Sequence, residues 1–198
     1  MHSRTARPSN VAAVAETLAT AFLHDPVWGA ALDPGDGSTR HLRPYWTQYV
    51  IGAMRYDTVV IGERARTASV WIPPGGSELS DDEEAEARRI ANDALSPDLA
   101  AALFELWERF DDNRPRDEPH AYLSLLATHP DHAGSGLGQA HLREDLAHWD
   151  EVGLPAYLES SNPANNHRYE RQGFRAVGEF HTVLDGAVIT TMWRPVGG

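Results

Sequence analysis

Residues 129–138, His-Pro-Asp-His-Ala-Gly-Ser-Gly-Leu-Gly, set Gly134, Gly136 and Gly138 at alternate positions between an apolar run and a helical pattern. Glycine lets backbone approach a ligand with no Cβ in the way. The first amides of a helix have no partner within it and lie at its positive end, so a turn of this kind can hold a phosphate. The chemistry suggested is the cradling of a pyrophosphate. A Walker loop is excluded, because Gly138 is followed by Gln139 and not by Lys with Ser or Thr. A dinucleotide fingerprint needs a further glycine three residues after Gly136, and Gln139 stands there instead. The competing reading is a glycine-rich turn that only joins a strand to a helix, and three glycines alone do not separate the two.

The elements that must position this turn follow from patterning. Residues 121–128 are apolar, β-prone and of strand length. Between residues 139 and 152, Leu142, Leu146 and Trp149 recur at helical spacing, and Gly153 stands where a C-cap belongs. Upstream, residues 2–7 suit an edge strand, residues 10–23 and about 39–55 suit helices, and 57–61 with 67–72 suit a hairpin. Asp81-Asp82-Glu83-Glu84 opens another helix, residues 97–110 form the next, and 111–119 read as a polar loop. Downstream come a strand at 155–160, a short helix from 163 to about 172, and antiparallel strands at 174–182 and 187–193 around Leu184-Asp185-Gly186. Tyr45, Trp46 and Tyr49 form an aromatic stripe that, with Phe22, His24, Asp25 and Trp28, either lines a substrate pocket or fills the core; stripes at helical spacing favour core.

A chain of 198 residues is best read as one domain, a mixed sheet with helices on its faces. Its net charge of -12 argues against nucleic-acid or anionic-membrane partners and suits a cationic substrate. With no cysteine there is neither a disulfide nor a thiol nucleophile, and the ten histidines show no chelating pattern, so no metal is expected. No apolar run has membrane-spanning length and residues 1–7 lack a signal-peptide core, so a cytoplasmic monomer or homodimer is expected.

Four segments together resemble the GNAT family of N-acetyltransferases: Thr128–His132 leading into Gly134–Gly138; the strand Tyr157–Ser161; Asn162 with Tyr169-Glu170-Arg171-Gln172-Gly173-Phe174; and Ser69-Val70-Trp71. Residues 68–71, 115–119 and 158–165 are most similar to the puromycin N-acetyltransferase group. The resemblance implies a single GNAT-like α/β domain over 1–198, its central sheet mostly antiparallel with splayed central strands. Residues 1–118 would serve the acceptor and 119–198 would bind acetyl-CoA.

It further implies acetyl transfer to a primary amine of a small molecule, an antibiotic among the candidates, by direct attack in a ternary complex. Cofactor binding falls to Leu126, Ala127 and Thr128 along the pantetheine arm, to the turn Ala133, Gly134, Ser135, Gly136, Leu137, Gly138 and Gln139, and to Asn162 and Asn165. Tyr169 matches the family's general acid, against a reading as core tyrosine, and Asn162 suits a helix N-cap as well. Glu159 is the first choice as general base, directly or through a water, with His120 as the alternative. Phe22, Trp28, Tyr45, Trp46 and Tyr49 are the candidate acceptor-binding residues. The chain departs from the family at Ala133, where Gln or Arg is usual, and Ser135 stands where relatives are often basic; weakened CoA binding is therefore expected. A non-catalytic acyl-CoA sensor, a protein-amine acetyltransferase and an interaction scaffold are the alternatives.

Overall fold

The computed structural model describes residues 3–184 and 186–198. Among these residues seven strands form one sheet: β1 (Arg4–Thr5), β2 (Val59–Ile61), β3 (Thr67–Ile72), β4 (Ala121–Thr128), β5 (Ala156–Ser160), β6 (Arg175–His181) and β7 (Val188–Arg194). Their spatial order is β1-β2-β3-β4-β5-β7-β6. All neighbours are antiparallel except β4 and β5. That parallel pair is brief: Ala121, Tyr122 and Leu123 face Ala156, Tyr157 and Leu158, and there the ladder ends, although β4 runs on to Thr128. The sheet therefore opens between its central strands, as expected from the resemblance. A bulge sits in the same stretch, where the partners of β3 skip Ser124 between Leu125 and Leu123.

Helices cover both faces. On one, α1 (Val11–Phe22) and α3 (Leu42–Met54) pack together, with α4 (Asp81–Ala94) beside α3 and α5 (Pro97–Asn113) beyond. A short helix, α2 (Trp28–Ala31), stacks Trp28 on Phe110 of α5 at 5.4 Å. α6 (Leu137–Val152) covers the other face, burying Leu142, Leu146 and Trp149 against Trp71 and Leu158. α7 (Asn166–Glu170) precedes the last two strands. Ser80 and Ser96 accept from amides of the first turns of α4 and α5, and Gly153 ends α6 at φ 77. The anticipated short helix of 163–172 is divided into a 3₁₀ turn, Pro163–Asn165, and the five-residue α7. α5 runs a turn beyond the expected end at Phe110, and Asp185, at the expected last turn, lies outside the described residues.

A buried polar cross-link ties α6 to β3. His141 lies within hydrogen-bond reach of Thr67 (2.7 Å) and Ser69 (3.0 Å), while Asp145 accepts from Ser69 (2.6 Å) and from the Trp71 indole (2.9 Å). Each group has its partner, so the set orients the helix that follows the glycine turn. Asp145→Ala, which orphans two buried donors, is expected to cost about 1–3 kcal/mol in urea unfolding.

Candidate active site

β4 passes along two cavities. Leu126, Ala127 and Thr128 line one of about 460 Å³; Tyr122, Ser124 and Leu125 line another of about 510 Å³. Beyond Leu123 the edge of β4 that faces β5 has no strand partner among the described residues, so its backbone groups are open to a ligand lying in the gap.

The first cavity gathers the turn. Ala133, Gly134, Gly136, Leu137, Gly138 and Gln139 line it, with Asn162, Asn165 and Tyr169 opposite. Gly134 (φ 74) and Gly136 (φ 79) adopt the left-handed conformation that a side chain disfavours. Ala140 makes the first backbone bond of α6, to Gly136, so the amides ahead of it are the unpartnered donors of a helix start. Gly138 is needed for space: a Cβ there would come within 2.5 Å of the Thr128 hydroxyl. These features fit an anionic ligand. Gly138→Ala is expected to weaken binding of a pyrophosphate-bearing ligand about tenfold in calorimetry, through a strain of the size seen in overpacked sites. Adding Thr128→Ala to it should recover most of the loss.

Among the candidates for this cavity, Ser135 is left out: its hydroxyl folds back to donate to the His132 carbonyl (2.5 Å). Asn162 both lines the cavity and accepts from the Ala164 amide (3.1 Å), so the capping reading holds. The sequence reading missed Arg168, Arg171 and His132, which line the same space. Neither arginine forms an ion pair among the described residues, although carboxylates outnumber bases in this chain. Tyr169 packs its ring on Phe174 (6.1 Å, edge to face), and burial together with the nearby Asp25 carboxylate pushes its phenol up to about 12.

The second cavity is lined by the rings of Trp28, Tyr49, Trp107, Phe110 and Tyr122 and by Glu78, Glu84, Glu108, Asp111 and Asp112. Its arginines are engaged: Arg88 with Glu84 (2.8 Å), Arg114 with Glu78 (2.6 Å) and Arg116 with Asp111 (2.7 Å). Trp28 and Tyr49, two of the candidate acceptor residues, line this cavity. Phe22 lies instead in the first cavity. Tyr45 and Trp46, each 0% exposed, line neither and belong to the core. Helix α3 turns them inward, where Trp46 meets Phe22 and Trp28 and the Tyr45 hydroxyl accepts from the Trp107 indole (3.0 Å).

Glu159 stands on β5 just past the point where the strands part. One of its carboxylate oxygens is buried without a hydrogen-bond partner. Burial raises its pKa to about 7, against the pull of Arg114 and of the Tyr122 and Tyr157 hydroxyls. Glu159 lines neither cavity itself; its neighbours Tyr122, Arg114 and Glu78 form the wall of the second. His120, the alternative base, is packed against the rings of Tyr157 and Trp193, its Nδ1 2.7 Å from the Glu118 carbonyl. Among the described residues no group of three or more His, Asp or Glu side chains is gathered for a metal, and no helix is long and apolar enough to cross a membrane.

The model of the acetyltransferase (GNAT) family matches residues 82–174. A mycothiol acetyltransferase of Propionibacterium freudenreichii is 32% identical over 120 residues, which are 58% of this chain but only 32% of that protein. The chain thus spans about a third of that relative's length. Two solved structures share the fold: a Corynebacterium glutamicum protein described as histone acetyltransferase HPA2 and related acetyltransferase (TM-score 0.70, 21% identity, 98% of this chain and 95% of that one), and arylalkylamine N-acetyltransferase 2 of Aedes aegypti (TM-score 0.69, 14% identity, 98% of each). The family match covers a little under half of the chain and the solved structures share its fold, so in both the chain is similar to GNAT-type acetyltransferases.

Proposed function

We propose that this chain moves an acetyl group from acetyl-CoA to a primary amine of a small molecule, by direct attack with both substrates bound. The observation that carries this reading is the division of β4 between two cavities of opposite character, one with free amides and unpaired arginines, the other with carboxylates and aromatic rings. The thioester supplies an activated acyl group. Residues 133–139 would hold the pyrophosphate, with Arg168 and Arg171 supplying the cations that Ala133 and Ser135 lack, while the open edge of β4 and Asn162 and Asn165 take the arm. The double variant Arg168→Ala/Arg171→Ala is expected to weaken CoA binding by about tenfold or more, as loss of charge-assisted contacts does.

In the second cavity the rings of Trp28, Tyr49, Trp107 and Phe110 offer a flat apolar bed, and Glu108 and Asp112 favour a cation at the mouth. Arylalkylamines, the class named for the Aedes protein, have this character. Glu159, ionised above about pH 7, takes the proton of the ammonium through an intervening water, since it stands behind the cavity wall. Tyr169, protonated throughout the working range, donates to the departing sulfur. Incubation with acetyl-CoA and a panel of small amines, puromycin and arylalkylamines included, followed by mass spectrometry, tests the reading. Acetylated products support it. A melting temperature raised by CoA with no product across the panel supports a sensing module instead, the reading that Ala133 favours.

A further inference from the structure

Arg114 enters from the segment after α5, Glu78 from the segment before α4, and both meet the wall between the acceptor cavity and Glu159. The guanidinium is held on two sides: 2.6 Å from the Glu78 carboxylate and 4.0 Å above the Tyr122 ring. Glu78 is itself fixed by a hydrogen bond from Ser124, the bulge residue of β4. Tyr122 pairs with Tyr157 across the parallel ladder, their rings 5.9 Å apart, and the Tyr157 hydroxyl donates to the carbonyl of Asn113, next to Arg114. Glu159 lies two residues beyond Tyr157, on the same face of β5, which turns it toward this group. From its other side β7 brings only Thr191 into register. The charged and titratable groups on the face that Glu159 shares are Arg114, Glu78, Tyr122 and Tyr157.

We infer that the Glu78–Arg114 ion pair is the positioning device of the base: Glu78 fixes the Arg114 guanidinium over Tyr122, on the face of the sheet that Glu159 shares with Tyr157, and so sets the charge that Glu159 meets. The inference rests on the reading of Glu159 as base, but the arrangement of charges does not. A buried carboxylate with an orphaned oxygen would keep its proton unless a cation stood near. Arg114 is that cation, and its clamp on Glu78 and Tyr122 keeps it from swinging out to water. Glu78 in turn limits how far the guanidinium neutralises Glu159, leaving the carboxylate basic enough to accept a proton. A purely structural pair would affect stability; a pair with this role moves the titration of another residue, in opposite directions for its two members.

Carbon-detected NMR of protein labelled at glutamate carboxyls reads this without any acceptor, the Glu159 signal being the one missing in Glu159→Gln. We expect a midpoint near 7 in the unaltered protein. Arg114→Gln should raise it by about one unit or more, Glu78→Gln should lower it, and Arg114→Lys should keep it near the starting value. If Arg114→Gln fails to fold, Glu78→Gln and Arg114→Lys still carry the test. An unmoved midpoint, or one moved in the same direction by loss of either partner, overturns the inference. Failure of the base reading shows separately, as a Glu159→Gln protein that still acetylates at the normal rate.

Discussion

Glu159→Gln is expected to lower kcat by about 10²–10⁴-fold, the range that a positioned general base contributes. CoA binding should stay unchanged, because Glu159 lies outside the cofactor cavity. The pH dependence carries the same signature. With a native pKa of about 7, Glu159 should give kcat/KM a limb that rises with pH and levels above it, and the glutamine variant should lack that limb. Stability should move the other way. The group's pKa is raised on folding, so its contribution is fully present below the unfolded carboxyl range near 4.5 and is lost as pH rises through about 7. Glutamine never ionises, so the inactive variant should melt no lower than the parent at pH 8 and above. Scanning calorimetry on either side of neutrality, beside steady-state rates, checks both parts.

Tyr169→Phe is expected to lower kcat by about 10²-fold while leaving the Kd for CoA and the melting temperature close to those of the parent. The ring keeps its packing on Phe174, and no hydrogen bond is lost within the chain, because the hydroxyl has none among the described residues. What the substitution removes is a proton held firmly by a half-buried phenol near Asp25, on the wall where the thioester sulfur would leave. Equal kcat in the two proteins would return Tyr169 to the role of a packing residue.

The parts of the site formed by contiguous stretches were legible in the sequence. The strand at 121–128 and the helix after Gly136 show in apolar periodicity, and the alternate glycines mark a turn whose left-handed angles only glycine accepts easily. Glu159 was named only through the resemblance, which sets its strand beside the gap. Arg114 and Glu78 were not legible: both sit in polar connectors, and only the fold brings them from either side to Tyr122. Arg168 and Arg171, in and just after a five-residue helix, look like any solvated base until the fold sets them, still exposed, at the rim of the cavity. Periodicity shows that Tyr45, Trp46 and Tyr49 share a helix face, yet not which of them a neighbouring helix will cover. α1 and α4 on either side of α3 leave Tyr49 at the cavity and bury the other two. The splay of β4 from β5 is likewise a property of register, which the patterning of either strand alone does not contain.

The most direct test of the account is release of free thiol from acetyl-CoA, followed continuously with and without small primary amines. The account predicts release that depends on the amine, matches acetylated product one for one, and falls at least a hundredfold in Glu159→Gln. Thiol release unaffected by any amine, or none at all from protein that calorimetry shows saturated with acetyl-CoA, would contradict it.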